Sequence, residues 1–199
     1  MIGINEVAQK VVEKPQSSFD PSKRVGEVNG ETKKTTYDPS KRVESNTETN
    51  KEGEKLGLTD EQKEILKSKT EWPDEIINNI GSMEEAEIYI NANLQVAEIN
   101  GKPCLIRTDI DLQQVDGMGR TNKQRMEQGL APLDKNGKPI ELHHIGQHAD
   151  SPLAELTQQE HRSKDNFSIL HDSTKETEID REQFSGEKAK HWNTRSKEY

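Results

Sequence analysis

"IELHHIGQHAD", residues 140–150, places two adjacent histidines at the end of a run in which apolar and polar residues alternate, and all six histidines of the chain lie between His143 and His191. Such alternation predicts a β-strand, and neighbouring side chains on a strand point to opposite faces of the sheet. His143 and His144 therefore cannot easily bind one metal ion together without distorting the backbone. They can divide the work, with one imidazole holding an ion and the other facing a substrate.

Two histidines further along the chain complete this hypothesis. His161 follows a capping-box pattern at Thr157 and Glu160, which predicts the start of a helix. A strand, a loop and this helix would bring His161 back beside the strand end, and His171 follows ten residues later. Three imidazoles on one divalent ion leave a coordination position open, which is typical of catalytic sites. His144 would then be free to act as a general base toward a water molecule.

Three other side chains receive simpler interpretations. We expect His148 to be a solvated loop residue, and His191, which is next to Trp192 in a charged segment, to pack or to lie at the surface. Cys104 is the single cysteine, so an intrachain disulfide and a cysteine-rich zinc site are excluded. We expect the Cys104 thiol to act as a small buried hydrophobe.

Local signals predict the surrounding elements. Two Asn-Gly turns, at 100–101 and 136–137, predict hairpins, and the outgoing arm of the second delivers the two histidines. Pro103 would make the outgoing arm of the first hairpin an edge strand. Helix starts are predicted from capping patterns at Thr59/Gln62, Ser82/Glu85 and Thr121 or Asn122, with a short helix after Pro73 and a helical C-terminal segment.

Composition limits how much of the chain can form a core. Of the 199 residues, 28% are apolar and 33% charged, whereas globular domains usually have roughly 45–50% apolar residues on a count that includes Gly. Part of the chain is therefore expected to be disordered. The net charge of −9 argues against a broad polybasic surface. The sequence has no apolar run near the roughly 20 residues of a membrane span, and its N-terminus has no signal-peptide pattern.

These features predict three regions. Residues 1–57 are expected to form a disordered polar linker, residues 58–100 a small helical segment, and residues 101–199 the domain that carries the histidines. The linker contains a repeat, "FDPSKRV" at 19–25 and "YDPSKRV" at 37–43, which is interpreted as a duplicated element of a tether or, alternatively, as a docking motif.

"IELHH" and "LTQQEHRSKDNFSILH", at 140–144 and 156–171, carry a resemblance to a known family. They resemble the ββα-metal core, or His-Me finger, of the HNH/endonuclease VII superfamily, above all a branch of bacterial toxin nucleases with a Leu-His-His signature. The nuclease colicins have a similar strand end. The resemblance covers about residues 85–199 and implies an α+β fold, with a ββα-metal nuclease domain preceded by the helical segment and the tether.

The resemblance implies roles for five side chains. His143 corresponds to the first metal ligand, His144 to the general base, and His161 and His171 to the ligands of the helix region. The gap between the last two is wider than in the colicins, where both ligands are on one helix. Arg120 resembles the upstream arginine that holds the scissile phosphate.

Further side chains are placed near this site by the same resemblance. Asn122 and Arg125, if helical, would lie on the face that binds the nucleic-acid backbone. Glu141 could orient a ligand imidazole or simply face solvent, and Gln147 could position a loop or a phosphate. Arg120 could instead form an ion pair with Asp116 or Glu127.

The function implied by the resemblance is metal-dependent hydrolysis of phosphodiester bonds by an endonuclease. The cofactor would be one divalent ion, Zn²⁺, Ni²⁺, Mn²⁺ or Mg²⁺, and the substrate a nucleic acid, with DNA favoured over RNA. The toxin branch further implies the C-terminal toxin domain of a secreted bacterial toxin, acting in the cytoplasm of a target cell and blocked by a cognate immunity protein. No membrane partner is expected.

Two other classes of function stay open. The first is an RNase or a restriction-like HNH nuclease without a toxin role. The second is a non-enzymatic, zinc-stabilised binding module. A structural zinc site requires four protein ligands, and the sequence offers three well-placed ones, which favours catalysis.

Overall fold

The computed structural model describes residues 57–174 and 176–199, which fold as helices packed around a small mixed sheet. The predicted linker with its two repeat copies lies outside the described residues, apart from Gly57. Among the residues described, no helix combines the length and the apolar character needed to cross a membrane. The α+β fold class predicted from the sequence is confirmed.

In the described part of the chain, three helices precede the sheet. The predicted capping box at Thr59 is present: its hydroxyl accepts from the backbone N–H of Gln62, and the Gln62 side chain accepts from Thr59. Ser82 caps the third helix through the N–H of Glu85, but the Glu85 carboxylate accepts from Gly81 and from more distant groups. The three helices are α1 (Asp60–Thr70), α2 (Asp74–Ile77) and α3 (Met83–Asn91).

Four short strands form the sheet in the order β1-β2-β4-β3. The first two strands form the predicted hairpin, with Asn100 and Gly101 both in the left-handed region at φ 56° and 80°. The third and fourth strands are antiparallel, whereas the second and fourth are parallel. The strands are β1 (Gln95–Ile99), β2 (Lys102–Ile106), β3 (Glu141–His144) and β4 (Leu153–Leu156).

Pro103 does not make β2 an edge strand, as the sequence suggested, because β2 lies between β1 and β4. The sheet tolerates the proline since β4 pairs with β2 only at Leu105, two residues beyond it. The edge strands are β1 and β3. The second Asn-Gly turn also differs from its prediction: it closes on a single bridge between Leu133 and Pro139, and the main partner of β3 is β4.

Helices cover both faces of the sheet in the C-terminal part. A capping box at Thr121 begins one helix, and another at Thr157 begins the helix that carries His161. At Ser163 the backbone leaves the helical region (ψ 147°), so the chain turns and starts a new helix at once. These helices are α4 (Asn122–Glu127), α5 (Gln158–Arg162), α6 (Lys164–Leu170) and α7 (Arg181–Arg195).

The core has two parts, one on each face of the sheet. The first joins α1–α3 and α6 to Leu105, Ala154 and Leu156 of the sheet, and the second joins α4 and α7 to Leu142 and Leu153. The sequence suggested a boundary between two regions at residues 100 and 101, but these residues form the tip of the β1–β2 hairpin. The helical segment shares one core with the residues that follow it.

Candidate metal centre and active site

The pairing of β3 with β4 separates the two adjacent histidines. His143 lies opposite Ala154 of the first core, and its ring is 6.5 Å from that of Tyr89. His144 lies opposite Leu153 of the second core, and its ring is 4.4 Å from Phe184 of α7. Both imidazoles are buried. They nevertheless border one cleft of about 600 Å³ at the end of the strand.

Three histidines converge on the first of these faces. The ring centroids of His143, His161 and His171 are 5.1, 5.1 and 4.9 Å apart in pairs. His161 Nε2 lies 3.3 Å from His143 Nδ1. One nitrogen from each ring lies within 4.8 Å of the other two. The turn at Ser163 allows this convergence, because His171 follows a second helix instead of extending the first.

The donor set fits a single divalent ion. Burial, and then the neighbouring His161 and His171, hold the pKa of His143 well below its usual range. Burial also lowers the pKa of His171, and His161 adds to that effect. Neutral imidazoles are the form that binds a metal. Three such ligands leave a coordination position for a water or a substrate oxygen. These are the three residues that the sequence predicted as ligands, and the structure brings them together.

Glu141 supports the orientation of one ligand. Its Oε2 lies 2.7 Å from His161 Nδ1 and 2.8 Å from Nε of Arg162. Burial raises the pKa of this carboxyl, but the hydrogen bonds from Arg162 and His161 outweigh burial and leave the pKa lowered. An ionised carboxylate on Nδ1 directs the Nε2 lone pair of His161 toward the centre. Glu141 therefore contacts and orients a ligand imidazole, which is one of the two placements that the sequence suggested, and it does not simply face solvent.

Gln147 acts on the segment that carries the third ligand. Its backbone has a positive φ of 65°, and its side-chain oxygen accepts from the backbone N–H of Asp172 at 2.6 Å. That bond fastens the residue after His171 to the turn that follows β3. Gln147 therefore positions a loop here, which is one of its two expected roles.

His144 has a partner that the sequence did not suggest. Its Nε2 lies 3.1 Å from Oε2 of Glu187, on α7. Burial lowers the pKa of His144, and the Glu187 charge opposes that shift. Because the two residues are 43 positions apart on different elements, only the packing of α7 against the sheet reveals the pair.

Arg120 and Arg125 surround a carboxylate instead of opening toward the histidines. Asp116 Oδ2 lies 2.8 Å from Nη2 of Arg120 and 2.6 Å from Nη1 of Arg125. Neither arginine borders the cleft beside His143 and His144. Of the two ion pairs considered for Arg120, the structure shows the one with Asp116. The phosphate role expected for both arginines has no support from this placement.

Asn122 does not fit its expected role in backbone binding. It is fully buried. Its amide donates to the carbonyls of Asp111 and Leu133, and its oxygen accepts from the N–H of Leu133. All these contacts are with the protein backbone, so Asn122 joins two loops and does not face a ligand.

The remaining side chains behave as the simpler interpretations suggested. His148 is exposed, with a long contact of 3.4 Å to Glu178. His191 is buried, and its Nε2 lies 2.8 Å from Glu155. Cys104 is also buried, and burial raises the pKa of its thiol to about 11.

The geometry and the comparisons define the class of the C-terminal part. Two antiparallel strands followed by a helix, with histidines from both converging, form the expected ββα arrangement. Residues 121–198 match the family LHH, described as a nuclease of the HNH/ENDO VII superfamily with conserved LHH. This part of the chain is therefore a nuclease domain of the HNH/ENDO VII superfamily. Within that superfamily the matching family is LHH, and Leu142, His143 and His144 correspond to its Leu-His-His. No solved structure matches the chain significantly.

Proposed function

We propose that the protein is a metal-dependent endonuclease whose ion is held by His143, His161 and His171. One observation carries the proposal: these three imidazoles converge on a point while a fourth, His144, borders the same cleft. The bound ion would supply Lewis-acid stabilisation of the phosphate oxygens. The chain's own residues orient the ligands, accept a proton and hold the substrate.

His144 is the proposed general base. It is excluded from the ligand set by the strand geometry that points it toward α7. When the ring takes a proton from the attacking water, the carboxylate of Glu187 at 3.1 Å stabilises the imidazolium. Glu187 therefore contributes orientation and charge, and the imidazole carries the proton.

Arg181 is the proposed phosphate contact. Among the residues that the structure describes, it is the one Lys or Arg that borders the cleft beside the histidines, and it is exposed at the start of α7. No ion pair of Arg181 occurs among residues 57–174 and 176–199, in contrast to Arg120. A guanidinium suits a bidentate phosphate contact. Arg181→Gln should therefore lower the cleavage rate more than Arg120→Gln does, in single-turnover assays.

The substrate and the biological role are proposed from the family resemblance. A nuclease of this superfamily acts on nucleic acid, and we propose DNA in preference to RNA. The net charge of −9 means that affinity for the backbone rests on few local contacts, so its salt dependence should be weak. We also propose a role as the toxin domain of a secreted toxin that acts in the cytoplasm of a target cell, with an immunity protein as its inhibitor.

A cleavage assay tests the proposed activity. The full chain, stripped with a chelator, is incubated with plasmid DNA and with RNA, each with Mg²⁺, Mn²⁺, Ni²⁺, Zn²⁺ or no ion. We expect cleavage to need an added ion and to stop when a chelator is added. We also expect DNA to be cleaved faster than RNA. Binding of one ion with no cleavage of either polymer would instead favour a zinc-stabilised binding module. Faster cleavage of RNA would contradict the proposed substrate.

A further inference from the structure

Glu85 is a buried carboxylate that the family match does not include. It lies in α3, outside residues 121–198, and is 3% exposed. Among the groups that accept or donate here, its two oxygens accept from the N–H of Gly81 at 2.8 Å, from the N–H of Gly146 at 3.0 Å and from the hydroxyl of Tyr89 at 2.6 Å. A buried acid with so many donors is held in one place.

That place is beside the first metal ligand. Oε1 of Glu85 lies 4.0 Å from Nε2 of His143, and both side chains are buried. The other ring nitrogen of His143, Nδ1, faces His161 Nε2 at 3.3 Å. Within the described residues, Nε2 of His143 is buried and makes no hydrogen bond. The ring therefore has one nitrogen toward the metal centre and the other toward the carboxylate.

We propose that Glu85 is a positioning residue for the metal centre. It accepts Nε2–H of His143 when an ion binds, and this fixes the tautomer that leaves the Nδ1 lone pair for the metal. A metal-bound imidazole commonly donates its second N–H to a carboxylate, which orients the ring and strengthens the ligand. A bound cation also makes that N–H a better donor, which favours closing the 4.0 Å separation. The inference rests on the proposed metal centre.

The turn after β3 is fastened to the same segment. Gly146, which donates to Glu85, has a positive φ of 70°. A Cβ at this position would lie 2.0 Å from the carbonyl oxygen of Asn79, so only glycine allows this approach. Through Glu85 and Asn79, the helical segment contacts the turn that follows β3, and Glu85 also lies beside the His143 ring. Residues before the family match are thus part of the site.

Metal titration of the full chain tests this role. Glu85→Gln should bind Zn²⁺ and Ni²⁺ at least about tenfold more weakly than wild type by calorimetry, the range typical for the loss of a partner to a ligand histidine. Glu87→Gln is the matched control, since Glu87 is an exposed glutamate of the same helix, and its affinity should equal that of wild type. Melting curves of the metal-free proteins separate a loss of folding from a loss of affinity.

A spectroscopic measurement covers the case in which Glu85→Gln does not fold. In metal-loaded wild type, imidazole ¹⁵N spectra should show His143 protonated at Nε2 and metal-bound at Nδ1. The opposite tautomer would overturn the proposal, as would wild-type affinity in folded Glu85→Gln. If wild type binds no ion at all, both the proposed metal centre and the proposed role of Glu85 are wrong. If wild type binds one ion and Glu85→Gln binds it equally well, only the role of Glu85 fails.

Discussion

Strand alternation gives His143 and His144 different surroundings although they are neighbours in sequence. One ring faces the other histidines and Tyr89, and the second faces Phe184 and Glu187. A metal ligand and a proton acceptor have conflicting requirements, because a coordinated nitrogen cannot also accept a proton. Because His143 and His144 lie on opposite faces of one strand, the first can bind a metal while the second stays free to accept a proton.

His144→Ala tests this division of roles. The variant should lose cleavage by about 10²–10⁴-fold, the contribution typical of general acid–base catalysis. Its affinity for the divalent ion should be unchanged, because His144 lies on the other face of the strand. Cleavage rates and calorimetric metal titration check the two halves of the prediction. A loss of metal binding as large as that of His143→Ala would show that both imidazoles are ligands.

The residues that the sequence identified are those with a local pattern. His143, His161 and His171 are recognisable because a strand end and a capped helix each have local signals, and the structure brings the three together. Glu187 and Glu85 have no such signal. The first is 43 residues from His144 and the second is 61 residues from Gly146, so tertiary packing alone makes them partners. The capping-box pattern even gave Glu85 a different role.

At the scale of elements, the loop before α4 is organised around Asp116. One oxygen accepts from the backbone N–H groups of Met118 and Arg120, and the other from the side chains of Arg120 and Arg125. Burial would raise the pKa of Asp116, but these hydrogen bonds outweigh burial and hold it well below the usual range. The loop therefore depends on an ionised carboxylate.

This dependence predicts how stability changes with pH. A carboxyl whose pKa is lowered by folding stabilises the folded state above its unfolded pKa of about 4, and that contribution is lost as the pH falls further. The free energy of unfolding of wild type should exceed that of Asp116→Asn by a constant amount from pH 5 to 8. The difference should shrink below about pH 4. Urea unfolding across this range measures it, and a difference independent of pH would contradict the account.

Helix starts were more predictable than strands. The capping boxes at Thr59, Thr121 and Thr157 each involve side chains within three residues of each other, so the sequence contains the complete interaction. Strand β4 has no comparable local signal, and its pairing with both β2 and β3 decides the sheet order. The edge position expected for Pro103 was wrong for the same reason, because it depends on that pairing.

At the scale of the whole molecule, a buried ionic cluster joins the C-terminal helix to the sheet. Glu155 of β4 is fully buried and bonds to His191 at 2.8 Å, to Nε of Arg195 at 2.9 Å and to the N–H of Arg107 at 2.9 Å. Nη2 of Arg195 also donates to the carbonyl of Arg107. This cluster anchors α7, and with it Glu187 and Arg181.

Removal of the central acid should destabilise the protein strongly. Glu155→Ala removes the fully buried carboxylate partner of the Arg195 guanidinium, and breaking a buried ion pair in this way typically costs about 3–5 kcal/mol of unfolding free energy. Glu198→Ala, which removes a more exposed partner of the same Arg195, should cost less than about 1 kcal/mol. Urea denaturation compares the two variants with wild type. Equal losses of unfolding free energy in the two variants would contradict the larger contribution of the buried cluster.

The central claim is that His143, His161 and His171 hold one divalent ion, and calorimetric titration of the metal-stripped protein tests it most directly. Wild type should bind one Zn²⁺ or Ni²⁺, and replacement of any of the three by Ala should weaken binding sharply and remove the rise in melting temperature on metal addition. His148→Ala is the control and should bind as wild type does, because His148 is exposed and lies outside the converging set. Loss of binding in His148→Ala with retention in His171→Ala would contradict the account and place the third ligand in the loop after β3.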